Sequence, residues 1–336
     1  MITNKLKLSS LDIEQKSMEC LTNLDRYIQH NFDDLINDFL IQFARYCRKI
    51  TLMQEAGKKG PLGFIHFSQL RTNTQAKRHM IRLDAYDENW YGDRVECSGE
   101  YNACAILIWF EEFANAMEAA GKNLYSHKKR KDVKRAIFAE SKKYLFILAE
   151  LIRIGLKKAA ETEWFQGIKR EAVFVVCIGE YQDTSDILYK EDASIKDPQT
   201  VKHFLEDKDQ SIYTHEICEN LDLTYGCYEG DNLLFANFTG CDFSHSSFNN
   251  SLILNSNFSN TVMKNTKLEN AKIFHTDFSG ATLNSVSFQG SELKNLSFAG
   301  AKLINVDFNG LLLAEELDFD RCTLLDTMVP ISVEVK

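Results

Sequence analysis

From Ala236 to Leu313 a large apolar side chain recurs every fifth residue: Phe238, Phe243, Phe248, Ile253, Phe258, Met263, Leu268, Ile273, Phe278, Leu283, Phe288, Leu293, Phe298, Leu303, Phe308 and Leu313. Two residues before each sits a smaller side chain, such as Ala236, Cys241, Ser246 or Thr261. Two residues after each comes a turn residue, usually Gly or Asn, as at Gly240, Asn250, Asn260, Gly280 and Gly300. Gly and Asn tolerate positive φ, so a corner every five residues is sterically accessible. The remaining positions are mostly polar or charged and are expected to face outward. A longer period of twenty residues runs through the shorter one: Phe238, Phe258, Phe278 and Phe298 form one column, and Ile253, Ile273, Leu293 and Leu313 form another. Four five-residue sides make a square coil, and stacked coils place each large side chain on a like neighbour in a dry interior. Roughly four coils at about 4.8 Å each predict a rod on the order of 20 Å long. A Ser/Asn-rich linker of low complexity has no reason to hold a large apolar residue in register over the whole stretch.

The triplets Ala236-Asn237-Phe238, Cys241-Asp242-Phe243, Thr276-Asp277-Phe278 and Ala301-Lys302-Leu303 resemble the small–Asp/Asn–Leu/Phe signature of pentapeptide-repeat proteins. That resemblance implies a right-handed quadrilateral β-helix. It spans about a quarter of the chain, or a third with weaker repeats from Leu221 and a slipped last turn at Phe319 and Leu324. The family includes members that bind DNA gyrase and many without known activity, so the resemblance carries the fold and leaves function open. The N-terminal half resembles no family.

The N-terminal pattern has a different period. Ser9 or Ser10 is positioned to cap a helix bearing Leu11, Met18, Leu21, Leu24 and Ile28, and Asn31 to cap a second,. The second carries a stripe of Ile36, Phe39, Leu40, Phe43, Cys47 and Ile50 and ends at Gly57–Gly63, which lacks the spacing of a phosphate-binding loop,. Phe64–Arg71 and His79–Tyr86 read as strands joined by the polar stretch 72–75, with Ile81, Leu83 and Ala85 on one face,. Ala103–Ala120 reads as a helix burying Leu107, Ile108 and Met117. A long helix follows from about Lys128 to Ala160, with Val133, Ile137, Tyr144, Leu148, Leu151, Ile152 and Leu156 in one stripe. Ala172–Gly179 is a β-branched run expected in the same sheet as the two strands. The division expected is a helix-rich α+β domain over 1–180, an acidic connector over 181–220, and an all-β solenoid with its C-terminal cap over 221–336.

Charge changes this picture in two places. The net charge of −9 is uneven: residues 181–235 hold 4 Lys/Arg against 13 Asp/Glu, whereas the strict repeats 236–313 hold 5 against 5. A neutral rod argues against mimicry of DNA toward a topoisomerase, which needs a dense negative surface. The opposite bias lies in the run Lys122, Lys128, Lys129, Arg130, Lys131, Lys134 and Arg135, opposed only by Asp132. Cations at a helix start work against the helix dipole, so Lys128, Lys129, Arg130, Lys131, Lys134 and Arg135 form the candidate anion-binding site. The nine cysteines are scattered, odd in number and never spaced C-x-x-C. This points to reduced thiols in a cytoplasmic compartment.

Other candidate chemistry is weaker. Asp84, Asp87, Glu88, Asp93 and Glu96 cluster in sequence, but their spacing breaks the calcium-loop pattern, with Ser98 where the bidentate Glu belongs,. His79, Cys97 and Cys104 lie near that cluster without any spacing that fixes a nucleophile beside a base. His245 and His275 fall at turn positions without repeated partners. No catalytic residue, metal site or cofactor is therefore assigned. No run of about 18 apolar residues is present, so no membrane span is expected, and the N-terminus lacks the apolar core of a signal peptide. The reading is a non-enzymatic interaction or scaffold protein whose rod engages a protein partner beside an N-terminal binding or regulatory domain. The alternatives are a nucleic-acid-binding or enzymatic N-terminal domain targeted by the rod, and a DNA-mimic gyrase binder. Pairing of two copies through the last coil is a further option.

Overall fold

The apolar stripes of the first fifty residues fold into one helix, α1 (Ser10–Glu55), with non-helical φ and ψ of −122° and 19° at Asn31. Asn31 therefore marks a kink within a helix, where a cap between two helices was expected. Its side-chain amide donates to Tyr27 O at 2.8 Å, satisfying a carbonyl of the preceding turn. The computed structural model describes residues 10–122, 127–182, 185–207 and 212–330, so Ser9 lies outside the described residues. The chain divides into two compact units, Met1–Ala193 and Ser194–Lys336.

The first unit is a five-stranded sheet with helices on one face. Its elements are β1 (Leu62–Gln69), α2 (Arg71–Gln75), β2 (Met80–Tyr86), β3 (Ser98–Asn102), α3 (Cys104–Lys122), α4 (His127–Ala160), α5 (Glu163–Gln166), β4 (Arg170–Glu180) and β5 (Ser185–Asp192). The sheet order is β3-β2-β1-β4-β5. β1 runs antiparallel to β2 and parallel to β4, which joins the two expected strands and the β-branched run in one sheet. Ile65, Phe67, Ile81, Leu83, Phe174 and Val176 point to the helices and share a core with Phe39, Phe43, Leu148 and Ile152. At Gly155 a Cβ would collide with the Phe39 ring, so this glycine lets α4 lie close against α1,. Four details depart from expectation. The stretch 72–75 is helical, β3 and β5 were not anticipated, Met18 of the expected first stripe is exposed, and Ile108 is half exposed while Leu107 and Met117 are buried.

The second unit is a four-sided β-solenoid of about six turns. It comprises α6 (Pro198–Glu206) and the short strands β6 (Ile212–Thr214), β7 (Asn232–Leu234), β8 (Leu252–Leu254), β9 (Val262–Lys264), β10 (Lys272–Phe274), β11 (Thr282–Asn284), β12 (Glu292–Ser297), β13 (Lys302–Ile304), β14 (Leu313–Asp318) and β15 (Thr323–Leu325). β14-β12-β10-β8-β7-β6 form one parallel six-stranded face and β15-β13-β11-β9 a four-stranded face. The other two sides are held by isolated bridges such as Asn257↔Asp277 and Ser287↔Asp307, each twenty residues apart. The weaker repeats expected from Leu221 are present with Leu223 and Tyr228 in the interior, and Tyr213 and Cys218 begin that first coil earlier than the sequence pattern suggested.

Three devices hold successive coils together and shape their corners. Large side chains stack in columns: Phe258 on Phe278 at 5.4 Å and 23°, and Phe278 on Phe298 at 5.4 Å and 12°. Small hydroxyl residues bridge coils. Ser256 Oγ accepts from Ala236 N at 3.1 Å and donates to Leu233 O at 3.1 Å. The residue before each large position turns the chain: Asp277 Oδ1 accepts from Ser279 N at 2.8 Å and Asn257 Oδ1 from Ser259 N at 2.8 Å,. Corners take positive φ, from +50° at Asn305 to +63° at His245 among the non-glycine residues of the strict repeats.

The two ends differ. At the first coil, α6 lays Val201 and Leu205 on the core, and Asp197 caps it by accepting from Thr200 N at 2.8 Å. Its side chains also cover the coil's open edge: Lys202 Nζ donates to Thr224 O at 2.8 Å, and Glu206 Oε1 accepts from Cys227 N at 3.0 Å. Stretches 185–192 and 198–206, expected as connector, are thus a strand of the first unit and the cap of the second. At the last coil the register slips by one residue, so Ala314 and not Leu313 stands against Leu293. Beyond it Leu303 pairs with Leu324 and Phe298 stacks on Phe319 at 5.2 Å, the slipped turn read from the sequence.

Truncating Phe278, which is fully buried within its column, should destabilise the solenoid by about 3–5 kcal/mol, whereas outward Lys264→Ala should change it by no more than about 0.5 kcal/mol. Guanidinium unfolding of the two variants, followed by circular dichroism, measures the difference.

Candidate functional site

The first unit carries a pocket of about 410 Å³ between α3, α4 and the start of β2. Its apolar wall includes Leu107, Phe110, Ile137 and Phe138, and its charged groups are Lys77, Arg78, His79, Lys134, Glu111 and Glu118. The α3 positions follow helical spacing, so Leu107, Glu111, Ala114 and Glu118 share one face. The candidate anion residues are therefore divided. Lys134 lines the pocket, while Lys131 and Arg135 are exposed on α4. The side chains of Lys128, Lys129 and Arg130 lie outside the described residues.

Strand pairing brings two other sequence candidates together. β2 and β3 are antiparallel with Met80 opposite Asn102. One residue further, Ala103 N donates to His79 O at 2.8 Å, and Cys104 then opens α3. His79 Nδ1 lies 3.3 Å from Cys104 Sγ, and Glu111 Oε2 lies 2.9 Å from His79 Nε2. The Nε2 contact has the distance of an ion pair without hydrogen-bond alignment. Cys97 does not join them. It is buried in the sheet core, where its carbonyl accepts from Tyr46 Oη at 2.6 Å. Sequence reading had no signal for Glu111, which approaches His79 only because α3 folds back along the sheet.

The acidic cluster is distributed among cations and amides. Asp84 accepts twice from Arg82 Nε, at 3.0 and 2.8 Å, and Glu96 accepts from Arg82 Nη2 at 3.2 Å. Asp93 pairs with the buried Lys59 and accepts from Asp87 N and Val95 N, each at 2.8 Å. Burial works to raise the Asp93 carboxyl, but Lys59 and these amides outweigh it and hold its pKa below the ordinary value,. The groups are thus used in structural pairs.

A second polar centre, not anticipated from sequence, lies on the sheet face opposite the helices. The fully buried His66 has Ser68 Oγ at 2.9 Å and Tyr91 Oη at 3.3 Å from Nδ1, with Ser185 Oγ at 2.9 Å from Nε2. Phe64, Tyr86, Trp90, Tyr91 and Tyr181 form a continuous aromatic cover, beginning with the Phe64–Trp90 contact at 4.1 Å. Trp90 holds a φ of +55°, which is disfavoured for a bulky side chain,. Burial pushes the imidazole from 6.5 down to about 4, against a smaller upward pull from Asp84. A neutral ring with both nitrogens in hydrogen-bonding contact is a structural core group.

On the solenoid the six-stranded face turns apolar side chains outward. Leu234 stands opposite Leu254, Leu254 opposite Phe274, and Leu252 opposite Lys272. The four apolar residues are each partly exposed, at successive coils of a flat surface. His245 and His275 are exposed corner residues. His245 stacks on Tyr225 at 4.7 Å, and His275 Nδ1 lies 2.7 Å from Asn295 Nδ2.

Residues 223–298 match a family profile described as pentapeptide repeat region, so the second unit is a pentapeptide-repeat solenoid. No curated protein matches the chain. Among solved structures the chain is similar to HetL, a pentapeptide repeat protein involved in heterocyst differentiation regulation from Nostoc sp. strain PCC 7120. The identity is 15% and the TM-score 0.31, covering 34% of this chain and 47% of HetL. It is also similar to the pentapeptide repeat protein Rfr23 from Cyanothece 51142, at 21% identity and a TM-score of 0.20, covering 37% of this chain and 98% of Rfr23. A third is the fluoroquinolone resistance protein QnrB1, at 13% identity and a TM-score of 0.24, covering 35% of this chain and 72% of QnrB1. This chain thus spans about half the length of HetL. No described helix is long and apolar enough to cross a membrane.

The His66 centre generates a pH prediction. Its folded pKa of about 4 lies below the ordinary 6.5. The unfolded chain therefore takes up a proton between these values that the native state refuses. The stabilisation is complete above pH 6.5 and is lost as pH falls toward 4, amounting to roughly 2 kcal/mol by pH 5. Urea unfolding at pH 8 and pH 5 should show this loss in the wild type and a flatter response in His66→Gln.

Proposed function

We propose that this chain is an interaction protein in which the pentapeptide rod docks a protein partner and the first unit holds a small anionic ligand. The observation that carries the docking role is the outward cluster of Leu234, Leu252, Leu254 and Phe274 on a flat parallel sheet. Outward side chains contribute nothing to the solenoid interior, and a contiguous apolar patch on a rigid face suits a broad protein surface. Charge supports a protein in preference to DNA mimicry, because the strict repeats carry equal numbers of acidic and basic residues. The triple variant Leu252→Lys, Leu254→Lys and Phe274→Lys should keep the circular dichroism of the wild type. It should also lose any partner retained by the wild-type chain from native-host lysate, read by mass spectrometry. Unchanged capture by the triple variant would move the docking role off this face. A second copy of the chain is the other partner to consider, at the last coil where Leu324, Leu325 and Met328 are exposed.

The anion reading rests on Lys134 facing the same pocket as Lys77 and Arg78. A cavity of about 410 Å³ has the size of a small-molecule site,. Pyrophosphate, titrated calorimetrically, should bind the wild type and weaken roughly tenfold in Lys134→Glu, the loss expected when one charge-assisted contact is reversed. Binding of oligonucleotides with steep salt dependence, indifferent to Lys134→Glu, would instead favour a nucleic-acid surface along exposed Lys131 and Arg135.

A further inference from the structure

We infer that Cys104 is a nucleophilic thiol activated by His79, able to accept an acyl group from an activated ester or thioester that carries an anionic group. Three features converge on this thiol and its base. Cys104 is the first residue of α3 and is partly exposed, so a substrate can reach the sulfur. His79 Nδ1 is within proton-transfer distance at 3.3 Å. Glu111 stands 2.9 Å from the far nitrogen of the same ring, where a small rotation completes a Cys–His–carboxylate series,. Such contacts are often loosely aligned before substrate binds. Cys104 shares a helix face with Leu107 and Glu111, both of which line the pocket,. The charged groups around the pair are Glu111 and Glu118 of α3, Lys77 and Arg78 beside β2, and Lys134 of α4. Lys77 is already engaged by Glu118 at 3.8 Å and by Asn115, so Arg78 and Lys134 define the anionic end of the substrate, and Leu107, Phe110 and Phe138 accommodate its apolar portion.

The chemistry is closed within these residues and water. His79 takes the thiol proton and the sulfur attacks the carbonyl carbon, forming an S–C bond. The C–O or C–S bond to the leaving group breaks, and the imidazolium returns the proton to that group. Water, deprotonated by the same imidazole, then attacks the thioester and releases a carboxylic acid and free Cys104. Cys104 is the nucleophile and His79 the base, while Glu111 is a positioning residue that acts through the ring.

This goes beyond the anion-binding role, and a neutral ester tests it independently of the pocket's charge. Full-length protein mixed with 4-nitrophenyl acetate should release about one equivalent of nitrophenolate in a burst, with the acetyl group found on Cys104 by mass spectrometry. The exposed Cys227 is the internal reference. Cys104 should be acetylated at pH 7 at least roughly tenfold faster than Cys227, an advantage abolished in His79→Gln. Equal rates at the two cysteines, or an unchanged rate in His79→Gln, would overturn the inference. Should His79→Gln fail to fold, Glu111→Gln provides the reading. Loss of the carboxylate beside the imidazolium should move the acid limb of the pH–rate profile to lower pH, and an unmoved limb counts against the series. The nitrophenyl monoester of succinic acid should react several-fold faster than the acetate, and equal rates would remove the anionic substrate class.

Discussion

The solenoid depends on one constraint, that each coil must place its backbone and its interior side chains directly over the coil before it. Hydrogen bonds running from one coil to the next, such as Phe258 N to Asp277 O at 2.7 Å and Asn257 N to Ala236 O at 2.8 Å, require a period of twenty residues. The same register sets Phe on Phe through the interior. Neither contribution survives a shift of one residue, because a slip would turn interior side chains outward and unpair the ladder together. The corner chemistry follows from this demand. Asn and Gly accept the left-handed turns, and small hydroxyl residues bridge backbone groups that the tight bend leaves without partners. At Gly280 the space a Cβ would occupy is taken by the Asn260 side chain from the coil below. The one tolerated slip falls at the last coil, where few turns follow.

Repetition also creates the ends as a problem, since each terminal coil exposes an unpaired ladder. The first coil is closed by α6, whose leucine covers the core and whose Lys202 and Glu206 reach the edge carbonyl and amide. At the other end, Thr327 Oγ1 accepts from Val306 N at 3.1 Å, and apolar side chains stay exposed nearby.

The first unit obeys a different logic, with an apolar core between one sheet face and three long helices and a polar aromatic layer on the opposite face. Its chemistry arises from strand register. Pairing of β2 with β3 carries His79 alongside Ala103, so the residue that starts α3 meets the imidazole, and the helix then returns Glu111 to the same ring one face later. Lysine and arginine reach this region from separate elements, Lys77 and Arg78 beside β2 and, among the described residues of the charge run, Lys134 on α4.

The sequence by itself determined the solenoid, because a repeated core writes the same interior position every five residues and the coil dimensions follow from the period. It also determined the buried stripes of α1 and α4 and the strands β1, β2 and β4, whose apolar periodicities are long enough to read. It did not determine β3 or β5, short strands whose pairing with longer neighbours supplies the stability that their own composition lacks. The start of the first coil, ahead of the weaker repeats from Leu221, escaped notice for a related reason, since Tyr213 and Cys218 occupy interior positions without the repeat's residue types. The sequence named Lys134, His79 and Cys104 among its candidates, but what each of them meets belongs to the tertiary structure. His79, Cys104 and Glu111 carry no spacing signature, and the ring nitrogens of His66 meet not only the nearby Ser68 but also Tyr91 and Ser185 from distant parts of the chain. Local periodicity reports which face of an element is buried, but contact between distant polar residues is set by strand register and helix return, which a linear pattern does not encode.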